Sequence, residues 1–272
     1  MTKANVPKAP LITKLCKQIE KEKGIKILFA VENGSRAWRM ESEDSDYDVR
    51  FVYHHPMEKY ISLSQPKDVI EKYYDQEGKP HAAQGCFIDI VGFDVFKYLR
   101  LLINSNPTAI EWLKSDIVYY GKQNLKFRDF AFKCFKKISL FYHYQSLCRQ
   151  NYQKYIKSKT LVSYKKYLYA LRGLVNATYV QKTGKVPPID FTDTVKKADF
   201  LPKNIRDRIL KIIELKKSGR EKQIIDNIPM FDKYLESFLK QECKEIPKFD
   251  KKAVQILEKE LKKLLFKSKQ KN

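Results

Sequence analysis

Residues 33–53 read NGSRAWRMESEDSDYDVRFVY, and this stretch decides the fold. A Gly34-Ser35 pair stands ahead of Asp46 and Asp48, which open an apolar run rich in β-branched and aromatic side chains. On a strand, successive side chains point to opposite faces, so the two aspartates project the same way, about 7 Å apart. Two carboxylates fixed on one face suit hard cations such as Mg²⁺, and a Gly-Ser turn offers N–H groups and a hydroxyl to phosphate oxygens. The stretch therefore predicts a metal-dependent site for phosphoryl or nucleotidyl transfer.

A third aspartate lies at the centre of another apolar run. Residues 87–91 read FIDIV, and a charged side chain inside such a strand needs a partner or a metal. A further apolar run, residues 25–31, leads directly into the Gly-Ser pair and places it at the carboxyl end of a strand. Asp46, Asp48 and Asp89 on two strands, with the Gly-Ser turn at the end of a third, form one specific set of residues.

The hydrophobic periodicity of the rest of the chain separates a first part that mixes strands and helices from a second part that is helical. A helix is predicted over 10–23, and short β-like pieces around 61–63 and 69–70 add to the strands above. From about residue 123 the pattern is helical, with predicted helices over 127–156, 161–181, 203–217, 229–240 and 251–266.

Strands followed by helices predict an α+β fold with an all-helical second domain. The boundary falls between residues 115 and 126. We divide the chain into a catalytic domain, residues 1–122, and a helical domain, residues 123–272.

Length and composition fit a folded intracellular protein. The 272 residues can hold one large or two modest domains, and 43% hydrophobic content is ordinary for a globular chain. No window approaches roughly 18 consecutive apolar residues, so we expect no transmembrane helix and no membrane partner. Residues 1–10 lack the apolar core of a signal peptide, which predicts a cytoplasmic location. Five scattered cysteines without a Cys-x-x-Cys pair argue against a disulfide framework and against structural zinc.

The chain carries a large excess of positive charge. It has 54 Lys and Arg against 32 Asp and Glu, a net charge of +22 and a pI near 9.6. A field of this size attracts polyanions and speeds their encounter, which favours RNA or another nucleic acid as a partner. The alternative is a lysine-rich source proteome, in which lysines cover every solvated helix face.

These motifs are similar to those of a known enzyme family. Gly-Ser, then Asp-x-Asp, then a third carboxylate on a later strand resembles the nucleotidyltransferase fold of the DNA polymerase β superfamily. The chain resembles the RNA-repair-associated RlaP (YcgL-type) family more closely. The stretches that carry this resemblance are residues 34–51, DIVGFD at 89–94, SNP and EWL within 105–113, and YKKYLYALR at 164–172. The resemblance covers roughly residues 10–195 and is weaker after 200. One departure is Arg39, where the family usually has glycine after the tryptophan, so a stiffer loop is expected there.

The resemblance implies a polymerase-β-like domain, a mixed sheet with flanking helices, that uses two Mg²⁺ or Mn²⁺ ions and a nucleoside triphosphate. The ions would clamp the attacking and leaving oxygens of an in-line displacement at the α-phosphate. Asp46 and Asp48 would hold both ions, and Asp89 would hold the ion that activates the incoming hydroxyl. Gly34 would let the backbone approach the triphosphate, and Ser35 would hydrogen-bond a β- or γ-phosphate oxygen.

Two arginines near the motif have open roles. Arg36 lies next to the Gly-Ser turn and is a candidate phosphate ligand, with an ion pair to Asp44 or Glu43 as the alternative. Arg50 shares the face of the aspartates, so we expect it to neutralise them rather than touch the substrate.

A helix in the second part offers a candidate wall for the nucleotide. Lys165, Tyr169 and Arg172 fall at i, i+4 and i+7, and Lys166 neighbours Tyr169 at i+3. A cationic, aromatic helix face opposite the metal site would suit a triphosphate and its base. The alternative is a solvated lysine face with an arginine in the core.

Three functions fit these observations. The leading hypothesis is an enzyme that transfers nucleotides to an RNA end during repair or processing. The second is protein nucleotidylylation, for example AMP transfer to a tyrosine of a partner, as minimal nucleotidyltransferase antitoxins perform with the same signature. The third is an RNA-binding module without catalysis. The complete set of three aspartates argues against the third, and the charge of +22 favours RNA over protein as the acceptor.

Overall fold

The aspartates and the Gly-Ser turn lie on a five-stranded mixed sheet. The computed structural model describes residues 6–220, 222–244 and 251–267. The strands are β1 (Lys26–Asn33), β2 (Tyr47–His54), β3 (Val69–Tyr74), β4 (Ile88–Asp94) and β5 (Val118–Gly121). Their order across the sheet is β3-β4-β2-β1-β5, with β2 and β4 parallel and the other neighbours antiparallel. This arrangement confirms the predicted α+β fold with a mixed sheet.

Helices cover both faces of the sheet and form most of the second part. They are α1 (Ala9–Lys23), α2 (Gly34–Ala37), α3 (Met57–Tyr60), α4 (Val95–Ile103), α5 (Pro107–Lys114), α6 (Leu125–Lys133), α7 (Lys137–Tyr155), α8 (Tyr164–Thr183), α9 (Phe191–Lys196), α10 (Lys203–Leu215), α11 (Pro229–Leu239) and α12 (Lys251–Lys267). The helix predicted over 10–23 is confirmed as α1, which ends at Gly24 in the left-handed conformation that stops helices. Within the described ranges, no helix is both long enough and apolar enough to cross a membrane.

Two local predictions in the first part differ from the structure. Residues 61–63 form a turn and a bend instead of a strand, and Ile61 and Leu63 are exposed. Two alternating apolar residues without a neighbouring strand are too few to hold a β conformation. The edge strand β5 was not predicted, since its four residues pair with β1 through contacts that local periodicity does not contain.

The second part also differs from its prediction in two places. The single helix expected over 127–156 is divided into α6 and α7, and the Lys136 N–H between them donates to Ser105 Oγ at 2.7 Å. Residues 161–163 are not helical: β6 (Leu161–Ser163) pairs with β7 (Ile224–Asp226) as an antiparallel ribbon, because Val162 is buried and takes extended backbone partners. The predicted all-helical region therefore contains one short two-stranded sheet.

Two groups of buried apolar side chains lie on opposite faces of the five-stranded sheet. The smaller group packs α1 against Ile27, Val49 and Phe51. The larger group joins the other face, including Phe29 and Val52, to helices from α4 through α12. One core thus contains residues from both sides of the predicted boundary after residue 122, and the division at that residue stays a prediction.

Candidate active site

Parallel pairing of β2 and β4 places two of the aspartates side by side. Asp48 is the register partner of Asp89. Asp46 is exposed and lies just before β2, and all three aspartates line one pocket of 390 Å³. The structure therefore brings together the three carboxylates that the sequence analysis singles out.

The Gly-Ser turn contacts the Asp48 carboxylate. β1 ends at Asn33, and the next residue, Gly34, begins the one-turn helix α2 with a φ of 64°. A Cβ atom at this position would lie 1.9 Å from Asp48 Oδ2, so glycine is needed for the carboxylate to approach the turn. Ser35 is buried and lines the same pocket. Gly34 thus has a steric role in addition to the predicted approach of a triphosphate.

Glu32, which the sequence analysis missed, supports the backbone of Asp48. The residue is 1% exposed, and its Oε1 accepts a hydrogen bond from the Asp48 N–H at 2.9 Å. Its Oε2 accepts a hydrogen bond from the Tyr119 hydroxyl. Burial raises the pKa of Glu32 to about 8. An acidic residue directly after the apolar run 25–31 and just before the Gly-Ser pair is the signal that could have revealed it.

Arg50 neutralises the paired aspartates, as its place on their face indicates. Its Nη2 lies 3.2 Å from Asp48 Oδ1 and 2.9 Å from Asp89 Oδ2. Its Nη1 also donates to the Asp89 carbonyl oxygen at 3.1 Å. Burial raises the pKa of the Asp48 carboxyl, and the positive charge of Arg50 opposes that rise.

The carboxylates have the chemistry of ligands for a divalent metal, but their side chains are not arranged around a common metal position. Within the described ranges, no three acidic, histidine or cysteine side chains are placed to hold a metal ion together. The Arg50 guanidinium bridges Asp48 and Asp89 instead. Asp89 Oδ1 is buried and has no hydrogen-bond partner in the described part of the chain, and carboxylate oxygens are the ligands that Mg²⁺ and Mn²⁺ accept. These residues fit a metal ion if Arg50 gives up part of its contact with the carboxylates.

Arg36 supports the loop that precedes the aspartates. Its guanidinium donates to the carbonyl oxygens of Ser45 at 2.5 Å and of Asp46 at 3.3 Å, and it lies 4.0 Å from the Tyr47 ring centroid. It lines a separate cavity of 540 Å³ and not the aspartate pocket. The guanidinium is thus held by the backbone of the loop, and a contact of Arg36 with phosphate stays a prediction.

Two of the four predicted residues of α8 reach the pocket. Lys165 and Tyr169 line it. Lys166 is not among the lining residues, and its ammonium lies 3.6 Å from the Tyr155 ring centroid. Of the predicted face of α8, the side of Lys165 and Tyr169 therefore adjoins the aspartates, and nucleotide binding by α8 stays a prediction.

Arg172, the fourth residue, belongs to a buried polar cluster. It is 4% exposed, its Nη2 lies 2.5 Å from Glu111 Oε1, and its guanidinium lies 3.6 Å from the Trp38 ring centroid. Trp38 Nε1 and the Tyr144 hydroxyl also donate to the Glu111 carboxylate, at 3.2 and 2.9 Å. Arg172 thus lies in the core, which was the alternative, and outside the pocket lining; its contact with a nucleotide stays a prediction.

Arg39 adopts the backbone conformation that glycine favours. Its φ is 59°, in the left-handed region, where a Cβ atom is strained. Its Nη2 lies 2.5 Å from Asp116 Oδ2, and its carbonyl oxygen accepts a hydrogen bond from the Thr192 hydroxyl at 3.2 Å. A glycine, which the resemblance leads us to expect after the tryptophan, would adopt this conformation without strain.

Three further pocket residues come from a segment to which the sequence analysis gave no role. Lys216, Gly219 and Lys222 line the aspartate pocket after the end of α10. The remaining lining residues are Ser42, Asp44, Ser45, Ala83 and Cys86. The signal in the sequence is a basic run, KKSGREK at 216–222, that a Ser-Gly pair interrupts directly after an amphipathic helix.

Most of the chain aligns with known proteins. It is 36% identical over 230 residues to the uncharacterized protein YcgL of Bacillus subtilis (strain 168), with 83% of each chain covered. Among solved structures, it is similar to a spectinomycin adenyltransferase of Enterococcus faecialis with ATP and spectinomycin, at a TM-score of 0.46 and 15% identity, over 85% of this chain and 98% of that chain. A nucleotidyltransferase-like protein of Exiguobacterium sibiricum 255-15 gives a TM-score of 0.28 and 12% identity, over 78% and 74% of the two chains. Structural similarities at these TM-scores support no conclusion about the function of this chain.

The sequence model of one protein family matches nearly the whole chain. That family, RlaP, is described as the RNA repair pathway DNA polymerase beta family, and its model matches residues 10–267. The match continues well past the region in which the motifs resemble the family. The paired aspartates, the Gly-Ser turn and the lysine segment after α10 all lie within it. This match, together with the identity to YcgL, shows that the chain belongs to the RlaP family and is a nucleotidyltransferase of the DNA polymerase beta superfamily.

Proposed function

We propose that this nucleotidyltransferase depends on a divalent metal and transfers a nucleoside monophosphate from a nucleoside triphosphate to a hydroxyl group at an RNA end. One observation carries the proposal: Asp48 and Asp89 lie side by side in register, with Gly34 directly against the Asp48 carboxylate. Paired carboxylates beside a turn that can bind phosphate are what in-line nucleotidyl transfer requires. The cytoplasmic location inferred from the sequence is part of this proposal.

In the proposed mechanism, residues of the chain hold the nucleoside triphosphate and the acceptor, and one of them receives the proton of the acceptor hydroxyl. Two Mg²⁺ or Mn²⁺ ions, bound by Asp46, Asp48 and Asp89, would supply Lewis-acid activation and neutralise phosphate charge. Ser35 donates its hydroxyl hydrogen to a phosphate oxygen, and Lys165 adds positive charge from α8.

The chemical step forms one bond and breaks another at the α-phosphorus. The acceptor oxygen bonds to this atom while the bond to the bridging oxygen breaks, and pyrophosphate leaves. The Asp89 carboxylate, which lines the pocket, accepts the proton of the acceptor hydroxyl. Arg50, which contacts both Asp48 and Asp89, would give up part of this contact to the ions and orient the carboxylates through the part that remains.

Charge supports RNA as the acceptor. The net charge of +22 attracts a polyanion far more strongly than it attracts an average protein surface. The description of the family, which names an RNA repair pathway, points the same way. A protein hydroxyl as acceptor, and RNA binding without catalysis, are the outcomes that the experiment has to separate from this one.

A labelling experiment tests the proposal. The protein is incubated with α-labelled nucleoside triphosphates and Mg²⁺ or Mn²⁺, once with total RNA and once with cell protein, and the products are digested with RNase or protease. We expect label that RNase releases and protease does not. EDTA should abolish transfer, and Asp46→Ala, Asp48→Ala and Asp89→Ala should each reduce it by several orders of magnitude.

Asp207→Ala is the matched control, because this aspartate is exposed on α10 and lies outside the pocket lining. It should transfer label as the wild type does. Label that only protease releases would identify a protein acceptor. RNA retarded in a gel without any label would identify a binding module, and transfer by the Asp46→Ala/Asp48→Ala variant would refute the assignment of the metal site.

A further inference from the structure

Residues 216–220 and 222 reach the aspartate pocket because the chain changes direction after α10. The chain is kinked within Lys216–Arg220, where Ser218 and Gly219 leave the helical conformation and Gly219 has a φ of 81°. Ile213, in the last turn of α10, is buried in the larger core and fixes the start of the segment. The lysines at both ends of the segment are thereby directed at the pocket.

Two lysines of this segment face the four aspartates that line the pocket. Lys216 is 2% exposed although it carries an ammonium group, and buried lysines are rare unless they have anionic partners. Lys222 is exposed and lines the same pocket. Lys217, by contrast, lines the separate cavity of 540 Å³ that contains Arg36.

The proposed reaction determines which ligand these lysines meet. The α-phosphate has to lie at Asp46, Asp48 and Asp89, because bond formation takes place there. When metal ions neutralise these carboxylates, the lysine ammonium groups need other anionic partners. The oxygens of the β- and γ-phosphates are the remaining anions of the donor, and lysine binds phosphate as a point charge.

We propose that Lys216 and Lys222 bind the β- and γ-phosphates of the donor and select a triphosphate over a monophosphate. This inference rests on the proposed function, since it assumes that the α-phosphate lies at the aspartates. The segment supplies positive charge from a part of the chain far from the Gly-Ser motif in sequence. Gly219 permits the left-handed turn that brings both lysines to one pocket.

Calorimetric titration without an acceptor tests this inference. The ligands are ATP, AMP and inorganic tripolyphosphate, each with Mg²⁺, and the protein is the full chain. Lys216→Met and Lys222→Ala should each weaken binding of ATP and tripolyphosphate at least about tenfold, the effect of losing one charge-assisted hydrogen bond. Binding of AMP should change by less than about twofold, since AMP lacks the phosphates concerned.

Lys217→Ala is the matched control, because it removes the same charge from the neighbouring residue, which lines the other cavity. It should bind all three ligands as the wild type does. Lys222 is exposed, so Lys222→Ala should keep the wild-type unfolding temperature. If Lys216→Met does not fold, the binding data for Lys222→Ala still test whether the lysines bind the β- and γ-phosphates.

Three results would overturn the inference: unchanged tripolyphosphate binding in Lys222→Ala, equal weakening of AMP, or an equal loss in Lys217→Ala. The binding data also separate this inference from the proposed function. If the wild type transfers no label but Lys222→Ala still loses tripolyphosphate binding, only the proposed function fails. If transfer proceeds and Lys222→Ala binds ATP normally, only the role of the lysines fails.

Discussion

At the scale of single residues, the conformation of Gly34 controls the position of the Asp48 carboxylate. Gly34→Ala would place a Cβ atom 1.9 Å from Asp48 Oδ2 at a φ of 64°. We expect nucleotidyl transfer to fall at least about 100-fold, because a displacement of about 1 Å at a reacting group has an effect of that size. The measurement is the rate of label transfer under saturating donor.

Gly184→Ala is the matched control for that substitution. Its φ is also 64°, but a Cβ atom there would meet nothing within 4 Å among the described residues. It should lower the free energy of unfolding by about 1–2 kcal/mol, the cost of a left-handed residue with a side chain, and leave the transfer rate unchanged. Equal losses of activity in both variants would mean that backbone strain, and not the contact with Asp48, explains the effect.

Arg39 allows the cost of a left-handed residue to be measured directly. Arg39→Gly and Arg39→Ala both remove the ion pair with Asp116, so the difference between them reports the backbone alone. We expect the glycine variant to be more stable by about 0.5–1 kcal/mol, since glycine relieves the strain but loses more chain entropy on folding. Urea unfolding measures this difference. Equal stability would show that the backbone at residue 39 relaxes to a negative φ in the alanine variant.

At the scale of elements, a buried ion pair joins α5 and α8 beneath the end of α2. Arg172 pairs with Glu111, and both contact Trp38, the C-cap residue that follows α2. Arg172→Met should lower the free energy of unfolding by about 3–5 kcal/mol, because it leaves a buried carboxylate without its cation. The Glu111→Gln/Arg172→Met variant should lose less than the sum of the two single variants. Urea unfolding of the three variants gives these values.

Arg206→Met is the control for this pair, because its partner Asp207 is exposed at the protein surface. That substitution should cost no more than about 1 kcal/mol. Additive losses in the double variant would show that Glu111 and Arg172 are not coupled, contrary to their contact in the core.

At the scale of the whole molecule, both buried groups depend on the same strand. β1 contributes Phe29 to the larger group and Ile27 to the smaller one, so neither group can come apart while the other stays intact. We therefore expect one unfolding transition. Cys148 in the larger group and Cys16 in the smaller one are both 0% exposed, and their labelling by a thiol reagent at increasing urea should share one midpoint.

Cys86 is only partly buried and serves as the control, because it should react before the transition. Peptide mass spectrometry after labelling separates the three thiols. Two distinct midpoints for Cys16 and Cys148 would show that the parts on the two faces of the sheet unfold independently.

The sequence predicts those features of the site that lie close together along the chain. Asp46 and Asp48 share a face because strand geometry alternates side chains, and this rule needs no knowledge of the rest of the fold. Asp89 stands out as a charged residue inside an apolar run, but its place beside Asp48 depends on the parallel register of β2 and β4. The lysines at 216 and 222 could not be assigned, since no local period relates the end of α10 to a turn after β1.

Helix periodicity predicts that a helix is present better than it predicts where the helix ends or what its side chains contact. Helical spacing places Lys165, Lys166, Tyr169 and Arg172 near one another, but Arg172 packs against Glu111 in the core and Lys166 lies against the Tyr155 ring. Such partners come from distant parts of the chain, and a helical wheel contains no information about them.

The ribbon of β6 and β7 has a consequence for how the pocket can change shape. β6 leads directly into α8, where Lys165 is the second residue, and β7 begins shortly after Lys222. The two chain segments that carry pocket lysines are therefore hydrogen-bonded to each other, although they are far apart in sequence. When a substrate enters or a product leaves, these two paired segments should move together as one rigid body relative to the strands that carry the aspartates. The spacing among the lysines is then preserved while the width of the cleft changes.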